Sequence, residues 1–184
     1  MGGHGGMGGG LAVPISPAIS TLVPRSVSPM NGAMGGVGPP AAVTGADVLL
    51  VEDVRVSSKV AEMALRRERF TTKLVESGTD AVKAACQLQF RVVLMDIHMP
   101  GISGIEATRL IRAHEVETGK PRVIVLALTG NVSPSDLSTY CEAGFDGCIA
   151  KGRLLGDALQ KALRASKEHP GRFIAIVDND VKVY

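Results

Sequence analysis

Between Asp47 and Leu163 the chain repeats one pattern five times, a short apolar run followed by a longer stretch with apolar residues at helical spacing. The strand-like runs are Val48 to Val51, Thr71 to Val75, Val92 to Met95, Val123 to Leu128 and Asp146 to Ala150, the first, third and fourth of them the most apolar. Nearly continuous apolar runs mark strands buried on both faces, which are found in parallel sheets. Alternation with helices leads to the same architecture, because each crossover must return over a face of the sheet.

Right-handed crossovers narrow the topology to an α/β, flavodoxin-like doubly wound five-stranded parallel sheet of order 2-1-3-4-5 with five helices, strands 1 and 3 meeting at the switch point. Polar residues stand at the carboxyl ends of four of these runs: Glu52 and Asp53, then Asp96, Thr129 and Lys151. In such a sheet these ends share one edge, and ligands bind in the crevice there. The pattern therefore gathers three carboxylates, a hydroxyl and an ammonium, with Asp53 beside Asp96. Mg²⁺ takes one or two carboxylates and fills its shell with water and phosphate oxygens. A carboxylate can attack phosphorus to form an acyl phosphate. A metal on Glu52 and Asp53, with Lys151, would offset the repulsion between Asp96 and the phosphoryl oxygens. Thr129 could donate to one of those oxygens, and the small Gly130 leaves them room. The predicted chemistry is phosphoryl transfer to an aspartate. Taken singly these residues mean little, since Asp and Thr at strand ends are common caps and turn formers. Lys151 alone would be a solvated amine and His98 a turn residue, so the argument rests on their coincidence.

Helical spacing places Val56, Val60, Met63 and Ala64 on one face of the first helix. Ala81, Ala84, Ala85 and Leu88 give the second helix a small-residue face. Pro100, Gly101 and Gly104 precede a third helix reaching about His114. Pro134 suits the first turn of a fourth, with Leu137, Tyr140 and Cys141 inward and a stop near Gly144. Leu155, Ala158, Leu159, Ala162 and Leu163 form the inner face of the fifth. His114 and His169 lie in polar contexts and read as surface.

The first 46 residues hold 12 glycines, 6 prolines and one charged residue, Arg25. Such a segment cannot bury enough apolar surface to offset its ordering entropy, so residues 1–45 read as a disordered leader or linker. Residues 46–168 form the domain, and residues 169–184 a C-terminal tail or the start of a further module. In that tail Phe173 to Val177 reads as a strand, and Asp178 to Asp180 as an acidic turn or the turn of a terminal hairpin. A net charge of +2 and the absence of Trp give no footprint for nucleic acid. No apolar run reaches the ~20 residues of a membrane span, and no basic segment precedes Leu11 as in a signal peptide. Cys86, Cys141 and Cys148 lack CxxC spacing and read as free thiols in a reducing compartment, the cytoplasm or the nucleus.

The stretches Val51 to Asp53, Met95 to Gly104, Ala127 to Asn131 and Glu142 to Gly147, with Lys151, make Asp47 to Ala165 resemble a response-regulator receiver domain of two-component phosphorelays. The pattern is closest to receivers of hybrid histidine kinases. The resemblance implies Asp96 as phosphoacceptor, Asp53 as a direct Mg²⁺ ligand and Glu52 as a ligand acting mainly through water. It implies the backbone carbonyl of His98 in the metal shell, Thr129 as switch hydroxyl and Lys151 as the phosphate-pairing cation. His98 and Asn131 would flank the acyl phosphate and tune its hydrolysis. The implied partner is a histidine kinase or histidine phosphotransfer protein. Such a chain has no kinase activity of its own but promotes phosphoryl transfer to its aspartate and slow hydrolysis. Phosphorylation would switch the surface around the fourth helix, fifth strand and fifth helix, through which a receiver homodimer is also expected.

The sequence departs from the family pattern in carrying Cys148 where receivers usually have Tyr or Phe, Gly152 where they usually have Pro, and Ser103 where they commonly have Asp. Cys148 offers no ring, so the expected response is local ordering around Lys151 and Thr129. The alternative function is a pseudo-receiver, an interaction module independent of phosphorylation. A phosphatase on the same fold finds no second Asp two residues after Asp96 and no P-loop sequence.

Overall fold

Strands β1 (Val48–Val51), β2 (Thr72–Val75), β3 (Val92–Asp96), β4 (Ile124–Thr129) and β5 (Gly147–Ala150) pair in parallel in the order 2-1-3-4-5. The computed structural model describes residues 46–130, 132–152 and 155–184, so the leader reading for residues 1–45 and the role expected of Asn131 lie outside the described residues. Helices α1 (Arg55–Arg67), α2 (Gly78–Gln87), α3 (Gly104–Thr118), α4 (Pro134–Ala143) and α5 (Leu155–Glu168) follow the strands in turn. Among the described residues, none of the helices is long and apolar enough to cross a membrane.

The sheet continues past the five expected strands. β6 (Ile174–Val177) pairs parallel to β5, and β7 (Asp180–Val183) pairs antiparallel to β6. The reversal runs through Asp178 and Asn179, both at positive φ (50° and 68°), the conformation a tight two-residue hairpin demands. Phe173, Ile174, Ala175 and Ile176 are buried, so residues 169–184 add to the domain's own core. Gly147 permits the contact, because a Cβ there would stand 2.0 Å from the Ile174 carbonyl oxygen. β6 thereby covers the outer edge of β5, part of the surface through which a homodimer is expected.

Side chains alternate across the strands. Leu49, Val51, Val93, Met95, Ala127 and Cys148 pack in one layer with α2, α3 and α4. Leu50, Leu94, Leu126, Leu128, Ile149 and Ile174 pack in the other with α1 and α5.

Three expectations about helix faces are corrected. On α1 the stripe of Val56, Val60 and Met63 is exposed (74%, 46% and 73%), and the helix buries Ser58, Ala61 and Leu65 instead. The small Ser58 and Ala61 let α1 lie close to its neighbours, where the bulkier stripe would hold it off. On α4 Tyr140 and Ala143 are buried and Cys141 is exposed. His114 is buried rather than on the surface, because α3 runs four residues past it to Thr118 and turns it inward over a cavity of about 170 Å³ with Cys86, Ile111 and Lys120.

The amino ends of the strands are tied by a charged network. Arg112 on α3 donates to Glu115 (2.8 Å), Asp146 (2.7 Å) and the carbonyls of Gly144 (2.9 Å) and Val123 (2.8 Å). Arg122 donates to Asp146 at 3.0 Å. Asp146 and Glu115 also accept the backbone N–H groups of Val125 and Val123, each at 2.8 Å.

Candidate active site

β1 and β3 pair with Val51 opposite Met95, so Glu52 leaves the sheet level with Asp96. β4 and β5 pair with Thr129 opposite Ala150, and the Lys151 N–H donates to the Thr129 carbonyl at 2.7 Å. All the candidate side chains therefore emerge at the carboxyl edge. The loop after Asp96 folds back over the strand end, with the Gly104 N–H on the Ile97 carbonyl at 3.1 Å. Only glycine fits at 104, since a Cβ would lie 2.0 Å from the Asp96 carbonyl oxygen. Ser103 then caps α3 through the Glu106 N–H.

The Lys151 ammonium lies 2.7 Å from Asp96 Oδ2 and 2.8 Å from Glu52 Oε2. Glu52, Asp53 and Asp96 each offer a carboxylate oxygen, and these lie within 4.8 Å of one another. Glu52, Asp96 and Thr129 are buried (2%, 4% and 5% exposed). The His98 N–H donates to Asp96 Oδ1 at 3.3 Å, while the residue as a whole is exposed. Burial raises the Glu52 carboxyl above its ordinary value; the Lys151 hydrogen bond draws it partly back and the Asp96 charge pushes it up. Burial alone would lower the Lys151 ammonium, but its hydrogen bonds to Asp96 and Glu52 outweigh that and hold it above the usual range.

Glu52 Oε1 and Asp53 Oδ1 are buried without a hydrogen-bond partner. Buried carboxylate oxygens left in this way are costly, and with three acids against one ammonium the cluster attracts a hard cation. The donor set is all oxygen and open on one side, which fits Mg²⁺.

Thr129 brings in a residue not foreseen at the site. The Tyr140 hydroxyl, from the buried side of α4, lies 3.5 Å from Thr129 Oγ1. The signal available in the sequence was an aromatic on the inner face of a helix, in a domain whose fifth strand carries Cys148.

With this geometry, comparison with known proteins identifies the family. The model for the response regulator receiver domain matches residues 48–164, and the chain belongs to that family. It is 36% identical over 107 residues to the transcription factor SKN7 of Saccharomyces cerevisiae, covering 58% of this chain and 16% of that protein. The receiver domain of the sensor histidine kinase PA1611 of Pseudomonas aeruginosa, solved with a magnesium ion coordinated in its active site cleft, superimposes with a TM-score of 0.56. It is 35% identical, with 66% of this chain and 97% of that chain covered. A co-crystal structure of the Saccharomyces cerevisiae phosphotransfer protein Ypd1 with the receiver domain of Ssk1 matches with a TM-score of 0.58 and 28% identity, covering 67% of this chain and 92% of that chain.

Proposed function

We propose that this chain is a phosphorelay receiver whose Asp96 accepts a phosphoryl group from a phosphohistidine. The observation that carries this reading is the Lys151 ammonium held on Asp96 within a cluster of three carboxylates. The Lys151 contact sets a positive charge beside the Asp96 nucleophile, where the phosphoryl oxygens would arrive.

Glu52 and Asp53 would hold Mg²⁺ together with Asp96 and the backbone carbonyl of His98, Glu52 acting mainly through water. When bound, the ion supplies positive charge that offsets the charge on the phosphoryl oxygens. Lys151 exchanges its contact with Glu52 for a phosphoryl oxygen and offsets the charge of the incoming phosphoryl group. Asp96 forms the new P–O bond as the donor's P–N bond breaks, and the electron pair stays on the imidazole nitrogen. Thr129, at the end of β4, donates its hydroxyl to a second phosphoryl oxygen, and His98 at the rim limits access of water to the acyl phosphate.

The donor reads as the exposed histidine of a phosphotransfer protein or kinase. Val56 and Val60 line a cavity of about 320 Å³ together with Glu52, Lys151 and Leu155. The exposed apolar stripe of α1 thus runs from the mouth of the site outward, as a surface for a helical partner that must bring its histidine to Asp96.

Incubation with acetyl phosphate and Mg²⁺, followed by mass spectrometry, should find one base-labile phosphoryl adduct on Asp96, absent from Asp96→Asn. Labelling of that variant at the wild-type level would overturn the assignment.

A further inference from the structure

Tyr140 stands where the switch hydroxyl can be held. It is 4% exposed on α4, its ring packs on Phe145 with centroids 5.7 Å apart and planes at 58°, and its hydroxyl reaches Thr129 Oγ1 at 3.5 Å. The neighbouring strands leave it space. Ala127 and Cys148, two small residues opposite each other on β4 and β5, share its packed layer. The ring that β5 lacks is thus supplied to the same layer by a helix.

We propose that Tyr140 is a positioning residue for phosphoryl transfer, its phenol holding the Thr129 hydroxyl in the resting state and losing that partner when Thr129 turns toward a phosphoryl oxygen on Asp96. This rests on Asp96 as the phosphoacceptor. A 3.5 Å separation is longer than an ordinary O–H···O hydrogen bond, so a shift well under the length of a side chain decides whether the contact closes or is lost. A buried phenol without a partner is unfavourable, and the ring can regain one only by moving with α4. Phosphorylation at the sheet edge is thereby converted into a displacement of the helix that carries Tyr140. Burial raises the Tyr140 phenol above its ordinary value while the Thr129 hydrogen bond draws it down, so its environment is sensitive to that contact.

The chain has two tyrosines and no tryptophan, which makes the test direct. In Tyr184→Phe, which keeps the exposed terminal ring, Tyr140 is the single phenol, and its ¹³Cζ resonance is followed during titration with beryllofluoride and Mg²⁺. Binding is followed separately by ¹⁹F NMR. The resonance should shift at saturation and the shift should vanish in Thr129→Val. Tyr140→Phe removes this contact and should lower the half-saturating beryllofluoride concentration by about 2- to 3-fold, the low end of what a hydrogen bond carries. Thr129→Ser, which retains the hydroxyl, should keep the shift. Bound beryllofluoride with a silent Tyr140 resonance, or an unchanged half-saturation in Tyr140→Phe, would overturn this proposal alone. Absence of any bound ¹⁹F signal would overturn both it and the assignment of Asp96.

Discussion

The two ends of the sheet each hold a cluster of buried and half-buried charge, and they are built on opposite principles. At the amino ends Arg112 and Arg122 face Glu115 and Asp146, two cations against two anions, and the acids also accept backbone N–H groups from β4 and the residue before it. At the carboxyl ends Glu52 and Asp96 share the single ammonium of Lys151 with Asp53 beside them, and two carboxylate oxygens have no hydrogen-bond partner. The first cluster is complete within the chain and serves the fold. The second is short of positive charge and leaves acceptors open to a cation. Burial and charge alone would not tell them apart; the state of satisfaction does.

The strongest way to break this comparison is to exchange the consequences of mutation. Arg112→Ala should destabilise the domain by about 1–3 kcal/mol, because it removes the shared cation and donor of half-buried Glu115 and Asp146, yet leave labelling of Asp96 intact where the protein remains folded. Asp53→Ala should abolish Mg²⁺-dependent labelling while urea denaturation finds stability unchanged or raised. If both variants lost stability and labelling together, the division between the two ends would be wrong.

A smaller effect separates the ends through metal binding. Mg²⁺ should raise stability with the logarithm of its concentration above Kd, roughly 1.4 kcal/mol at ten times its Kd, measured by thermal melting. Arg112→Lys should gain the same increment, and Asp53→Ala none.

The smallest effect tests His114, an exception near the amino ends. Its Nε2 is buried without a hydrogen-bond partner, and burial, with the Lys120 charge behind it, holds the imidazole below its ordinary 6.5. Because the folded value is the lower one, the unfolded chain takes up the proton first, so this contribution to stability is complete above 6.5 and is lost as pH falls below it. His114→Gln should flatten that part of the profile; an unchanged slope between pH 7 and 5 would place the titration elsewhere.

Much of this was legible in the residues. The apolar runs located β1, β3 and β4 because strands buried on both faces leave no alternating pattern to misread, and the acids and Lys151 declared themselves by standing at strand ends. What stayed hidden depended on which surface each element meets. The stripe Val56, Val60 and Met63 has the right period for a buried face, but periodicity does not reveal that the smaller Ser58 and Ala61 pack better. Val177 and its neighbours read as a strand, yet their partner, β5, depends on a close approach over Gly147. Cys148 suggested a site without an aromatic, and only the packing of α4 brings the Tyr140 phenol to Thr129. The local ordering expected around Lys151 therefore meets a competing route through α4.

The β6–β7 hairpin also changes where this molecule is vulnerable. A strand with unpaired backbone groups is a template for uncontrolled pairing with other chains, and without the hairpin β5 would present that template one residue from Lys151. With it, the open border on that side is β7, two strand spacings or roughly 10 Å farther out, guarded by Asp180 and Lys182 at exposed positions. Strand-to-strand association on that border would start away from Asp96, leaving the site insulated from accidents of aggregation.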